Sequence, residues 1–79
     1  MMQVIIRYID KTIFDDRVNE IVLPGLHGKV GIKPNHTAMS VILTKGEIHI
    51  KSEIKNEKFD AIEGIAQISN NVINILLNQ

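Results

Sequence analysis

Apolar and polar residues alternate along much of this chain with a period of two, and no stretch keeps the three-to-four spacing of a helical stripe. The clearest alternation comes late. Ile48, Ile50 and Ile54 share one side with Ser52, while Glu47, His49, Lys51, Glu53 and Lys55 take the other. That pattern predicts a strand with one buried and one wet face. Val4 to Ile9, Val18 to Leu23, Phe59 to Ile62, Ile65 to Ile68 and Val72 to Leu77 read as further strands, and His36 to Leu43 is apolar enough for a buried one. Asp10-Lys11-Thr12 reads as a turn, Ile13-Phe14 as a restart, and Asp15-Asp16 as a second polar break. Later breaks fall at Thr44-Lys45-Gly46, Asn56-Glu57-Lys58, Glu63-Gly64 and Ser69-Asn70-Asn71, where asparagine tolerates the left-handed conformation. Breaks about every 8 to 12 residues predict an all-β chain, a two-sheet β-sandwich or flattened barrel.

One stretch, Leu23 to His36, interrupts this rhythm. It holds Pro24 and Pro34 and the glycines Gly25, Gly28 and Gly31. Glycine suits positive φ or close backbone approach, and proline ends hydrogen-bonded ladders. The expectation is a shaped loop crossing from one sheet to another, with Val30-Gly31-Ile32 briefly extended before Pro34. Gly31 is expected to need positive φ or close packing, and Lys29 to be an exposed loop residue.

Composition narrows the class. The chain has 79 residues, enough for one domain, and at this size roughly 60% of the unfolded surface is buried on folding. Acids and bases balance to zero net charge and are interleaved, whereas a duplex nucleic-acid surface needs clustered Lys and Arg. There is no cysteine, hence no disulfide or thiolate metal site. No apolar run approaches the roughly 20 residues of a membrane span, and the N-terminus lacks the basic region and small-residue cleavage site of a signal peptide. A soluble domain in a reducing compartment is expected.

Candidate chemistry is sparse. Gly25-Leu26-His27-Gly28-Lys29-Val30-Gly31 contains a Gly-Lys pair, but a phosphate loop needs four residues between its glycines and a Ser or Thr after the lysine. Two residues separate Gly25 from Gly28, and Val30 follows Lys29, so tight-turn glycines are the simpler reading. His27, His36 and His49 are too far apart in sequence for a local metal pair. His49 falls on the wet face of its strand, and His36 reads as a structural or interface residue. Asp15 and Asp16, if extended, point to opposite faces and do not form a shared acid/base site. Ser40, Ser52 and Ser69 have no nearby histidine to start a triad, and aromatic residues are too few for a stacking platform. The residues point to a non-catalytic β domain that contacts other proteins, with no cofactor and no metal.

At Leu23-Pro24-Gly25, Gly28 and Gly31-Ile32-Lys33-Pro34-Asn35-His36 the chain resembles the N-terminal domain of the epsilon subunit of F-type ATP synthases, called delta in mitochondria. The likeness extends over essentially the whole chain. Phe14 and Val18 match an upstream feature, Lys45-Gly46 with Ile48 and Ile50 a Lys-Pro-Gly strand, Phe59 to Gly64 a segment ending in paired glycines, and Val72 to Leu77 a closing strand. Lys29 stands where the family commonly has glutamate, Asn35 where it has glycine, and Thr37-Ala38 where it has Ala-Pro. In Ile62-Glu63-Gly64 one glycine of that pair is lost.

The resemblance implies a sandwich of about ten short strands over residues 1–79. It implies a central-stalk rotor subunit of a proton-translocating ATP synthase that binds the gamma subunit and the c-ring and couples rotation to ATP synthesis without doing chemistry itself. By the same carry-over, the loop Leu26, His27, Gly28, Lys29, Val30, Gly31 and Ile32 faces the c-ring, and Tyr8 and His36 lie towards gamma. The location implied is peripheral, on the cytoplasmic face of a bacterial inner membrane or the equivalent organelle face, with no membrane span. Family members usually continue into a C-terminal helical hairpin that carries ATP binding and inhibition of hydrolysis; the expectation for residues 1–79 is the sandwich without that hairpin. Two other classes compete: a freestanding β-sandwich that binds a protein or small ligand, and a small enzyme, which needs a cluster of titratable groups in a cleft.

Overall fold

A computed structural model describes residues 1–78. These residues form nine strands: β1 (Met2–Tyr8), β2 (Lys11–Val18), β3 (Glu20–Gly25), β4 (Gly28–Ile32), β5 (Met39–Leu43), β6 (Gly46–Lys51), β7 (Asn56–Ala61), β8 (Gly64–Ser69) and β9 (Val72–Leu77). The all-β expectation is met, and no helix occurs among the described residues.

The strands are hydrogen-bonded in one path, β2-β1-β9-β8-β5-β3-β6-β7, with β4 pairing β3 off that path. The sheet curls into two layers rather than forming two separate sheets. One layer is β2-β1-β9-β8-β5; the other is β4-β3-β6-β7. They join where Gly25 pairs Leu43 and where Thr44 N–H donates to Pro24 O at 2.9 Å. All pairings are antiparallel except β1 with β9, where Val4 lies opposite Ile73 and Ile6 opposite Ile75. The mixed direction follows from β9 lying between β1 and β8, parallel to the first and antiparallel to the second.

Period-two burial puts the core between the layers. Met2, Val4 and Ile6 of β1, Ile21 and Leu23 of β3, Ile48 and Ile50 of β6, and Ile73, Ile75 and Leu77 of β9 are all buried. Each such aliphatic side chain contributes about 1.5–3 kcal/mol through burial. No polar or charged residue is buried among the described residues, so the core has no polar side chain to satisfy and its main-chain groups are paired in the ladders.

Several boundaries differ from those read off the sequence. Asp15 and Asp16 do not break a strand. They lie inside β2, opposite Ile5 and Val4, and Gln3 Nε2 donates to Asp15 Oδ1. β2 is at the end of the strand path, and an edge strand carries exposed charge as protection against pairing with other chains. The first turn is Ile9-Asp10, and Lys11 already pairs Tyr8. β6 ends at Lys51, not at Lys55. Ser52 Oγ donates to Lys55 O at 2.8 Å and Ser52 N–H donates to the same oxygen at 3.0 Å, which closes the turn there. Ile54 is therefore at the tip of a turn and almost fully exposed, and Asn56 to Lys58 belong to β7. Pro24 does not end a ladder: β3 runs through it to Gly25, since only its missing N–H is lost and its carbonyl is used by Thr44.

Candidate functional site

The stretch expected as a crossing loop is a hairpin. β3 and β4 pair from Ile21–Ile32 to Gly25–Gly28, joined by the two residues Leu26 and His27. Two-residue hairpins favour turns with positive φ at the two loop residues, but Leu26 and His27 do not have it; the positive φ, 123°, falls on Gly28, the residue that follows them. Gly25 is fixed for another reason: a Cβ there would lie 2.6 Å from Gly28 O. The tip is pinned to β5 by the Leu26 N–H, which donates to Ile42 O at 2.9 Å.

Only Leu26 and His27 of the expected c-ring-facing segment are thus loop; Gly28, Lys29, Val30, Gly31 and Ile32 are strand. Leu26, His27, Gly28, Lys29 and Gly31 are exposed and Val30 is half-buried. Ile32 is completely buried, because it sits on the inward series opposite Ile21, and it offers no side chain to a partner. Gly31 has an extended backbone, and a Cβ there would meet nothing within 4 Å. The expectation that Gly31 needs positive φ or tight packing is therefore not met.

Between this hairpin and β5 runs a groove of about 330 Å³. Leu26, Val30, Met39, Val41 and Ile42 form its walls, with His27, Lys29 and Ser40 at its rim. Leu26 is 55% exposed and Ile42 59%, unusual values for residues that flank a packed sheet. Beyond the groove an apolar stripe crosses the outer face of the first layer. Ile42 pairs Ile65 and Ile65 pairs Leu76, three residues in register on three neighbouring strands. The expectation that His36 to Leu43 is a buried strand is therefore met only on one side of β5, since Ile42 is exposed. The missed signal was the alternation within β5: Ser40 and Ile42 share one side, Val41 and Leu43 the other. An apolar residue on the same side as a serine is on the wet face.

His36 lies on the loop between β4 and β5, half-buried, its Nδ1 2.8 Å from Thr37 O. A clasp holds that loop. Asn35 N–H donates to Asn71 Oδ1 at 2.5 Å, Asn71 Nδ2 donates to Asn35 Oδ1 at 3.2 Å, and both residues take positive φ, 68° and 61°. Asn71 O in turn accepts the Gln3 N–H, which ties the clasp to the start of β1. Tyr8 is at the other end of β1, packed against the core with Lys11 Nζ 5.9 Å from its ring centroid. Tyr8 and His36, expected to face the same partner, are thus at opposite ends of the sheet. His49 lies as expected on the wet face, 3.3 Å from Glu47 Oε1. Among the described residues no three His, Asp or Glu side chains gather closely enough to hold a metal ion, and no helix is long and apolar enough to cross a membrane.

Comparison with known proteins adds to this geometry. Residues 1–79 match the family described as "ATP synthase, Delta/Epsilon chain, beta-sandwich domain". The chain is similar to the ATP synthase epsilon chain of Lawsonia intracellularis, with 37% identity over 67 residues that cover 85% of this chain and 50% of that one. It is similar to the ATP synthase epsilon chain of Gloeobacter violaceus at 30% identity over 67 residues, 85% of this chain and 51% of that one. It spans about half the length of the curated relatives it matches. Its fold is shared with a chain of the Euglena gracilis mitochondrial ATP synthase, seen as OSCP/F1/c-ring in rotational state 1. There the TM-score is 0.92 at 18% identity, over 99% of this chain and 51% of that chain. A chain of the Tetrahymena thermophila mitochondrial ATP synthase central stalk and c-ring gives a TM-score of 0.79 at 23% identity, over 99% and 63%.

Proposed function

The chain belongs to the family of ATP synthase delta/epsilon-chain β-sandwich domains, and from that membership we propose that it serves as a central-stalk subunit of a proton-translocating F-type ATP synthase. In this role it binds the gamma subunit and rests on the c-ring, so that rotation of the ring is passed to the catalytic head. It carries out no reaction of its own. It is held at the membrane through the complex, on the cytoplasmic face in a bacterium or the equivalent face of an organelle.

The observation that carries this reading is the run of exposed apolar residues around the β3–β4 hairpin and β5, Leu26, Met39, Ile42 and Ile65, on a chain whose core is already filled. Apolar surface gathered beside a hairpin, with a polar rim, is what a docking face requires. The hairpin tip, Leu26 and His27, is the part offered to the c-ring. The side that carries the groove and the His36 loop is offered to gamma. Tyr8, at the far end of β1, makes a separate contact. A stable interface needs roughly 800 Å² on each partner, within reach of one side of a domain of this size.

The groove also lies at the small end of the range for ligand pockets, about 300–1,000 Å³, and saturable binding of a small molecule there would favour the freestanding binding module instead. Co-purification of the chain with the gamma subunit of the same organism tests the stalk reading. A folded chain that does not bind gamma at micromolar concentration contradicts it.

A further inference from the structure

The curled sheet has two seams, and they are closed differently. At the ends of the strand path, β2 and β7 are bridged by Phe14 against Phe59. Between β4 and β5 the apolar groove is left instead. β4 pairs with β3 alone. Because the hairpin closes on the pair Gly25–Gly28, the ladder to β3 uses the main-chain groups of Gly28, Val30 and Ile32. Those of Lys29 and Gly31 point away from β3. Across the groove, β5 is paired with β8 along its length, but on its other side the ladder stops at the bond from Leu26 to Ile42.

This edge is less defended than the other two. β2 exposes Lys11, Asp15, Asp16 and Arg17 and has a register shift at Ile6/Arg7. β7 exposes Asn56, Lys58 and Asp60. Charges and irregular register are what keep strand edges from pairing. β4 has one charge, Lys29, which forms no ion pair among the described residues. It also has Gly31, for which neither backbone conformation nor packing within the chain calls. Glycine inside a strand also serves where a second backbone comes close.

We propose that the free edge of β4 takes up an extended segment of the gamma subunit as an added strand. The inference rests on the stalk reading above. The segment pairs its main chain with Lys29 and Gly31. It directs alternate apolar side chains into the groove between Val30 and Val41, and it sets a large side chain beside Gly31 and an acidic one beside Lys29. Strand addition draws affinity from main-chain hydrogen bonds and specificity from the alternate side-chain pockets. β4 is five residues long, so the added strand is about four or five residues.

Amide hydrogen exchange followed by NMR, on the chain alone and with purified gamma, reads this directly. The Lys29 and Gly31 amides are expected to exchange fast in the free chain and at least ten-fold slower in the complex, while Val30, already in the ladder, changes little. Gly31→Pro, which removes one edge donor, is expected to weaken gamma binding ten-fold or more; Ile54→Ser, at a turn tip away from the seam, leaves it unchanged. If gamma binds and the Lys29 and Gly31 amides exchange as before, strand addition is overturned while the stalk reading stands. If the folded chain does not bind gamma, the stalk reading has failed and this inference with it. Protection of the same amides in the chain alone, with dimerisation, overturns the proposal in favour of a second copy.

Discussion

Phe14 of β2 and Phe59 of β7 meet edge to face, with ring centroids 5.4 Å apart and an interplanar angle of 63°. These residues stand on the two terminal strands of a single hydrogen-bonded path, so the contact closes the curled sheet at that seam. No main-chain ladder spans that seam among the described residues. The two rings supply, by side-chain packing, what hydrogen bonds supply elsewhere.

Replacing Phe59 by Ala is therefore expected to open this seam. Both rings are half-buried, so the cost falls below the 3–5 kcal/mol of a fully buried phenylalanine, at about 2 kcal/mol including the ring–ring term. For a domain of this size that lowers Tm by roughly 8–16 °C. Thermal melts of Phe59→Ala, Phe14→Ala and the double variant check it: the double variant should lose less than the sum, because the shared contact is removed once.

Gly64, and not Gly31 as expected from the sequence, is a glycine whose surroundings leave no room for a Cβ. At Gly64 a Cβ would lie 2.3 Å from Leu76 O, a main-chain atom that can yield only if β8 and β9 part. Gly64→Ala is expected to cost about 1–3 kcal/mol as an overpacking substitution. Gly31→Val is expected to leave stability within about 0.5 kcal/mol, since the position is extended and open and valine suits a strand. Denaturant titration of the two variants decides; equal losses at both positions would contradict this assignment.

The Asn35–Asn71 clasp yields a paired prediction. Asn71→Ala removes the side-chain hydrogen bonds to Asn35 and places a Cβ-bearing residue at φ 61° without the local bonding that favours asparagine there. The expected loss is about 1–2 kcal/mol. Asn71→Gly keeps the left-handed conformation and should lose less stability. Both variants should speed amide exchange at Asn35 and loosen the loop that carries His36. If only Asn71→Ala loosens that loop, backbone conformation holds it and the clasp does not.

Lys29 is exposed and free of ion pairs among the described residues. Lys29→Glu is expected to change stability by no more than about 0.5 kcal/mol while weakening capture of the chain by a complex of gamma and c-ring. Thermal melting and a binding titration on the same preparation separate the two effects. A large loss of stability would show that Lys29 has a structural role.

Where the chain alternates against a filled core, its strands were legible without coordinates: Val4 and Ile6, Ile48 and Ile50, Ile73 and Ile75 all point inward as their spacing requires. The misreadings have physical causes. Asp15-Asp16 looked like a break because edge strands carry charge, and edge position is a property of topology. The period-two run through Ser52 to Ile54 continued past the end of β6 because the turn is closed by Ser52 with Lys55, a bond between residues of ordinary strand-compatible type. Pro24 looked like a terminus, but its missing donor falls where β3 is leaving β6 for β5 and its carbonyl still has a partner. The groove was not legible at all. It depends on which strand lies beside the β3–β4 hairpin, and nothing local to Leu26 or Ile42 encodes that the two touch.

A calorimetric titration of the folded chain with the gamma subunit tests the central claim most directly. Saturable one-to-one binding is expected at micromolar concentration or tighter, with the negative heat-capacity change that follows burial of Val30, Met39 and Ile42 in the groove. A chain that melts cooperatively, and so is folded, yet gives no binding heat at any temperature over that concentration range would contradict it.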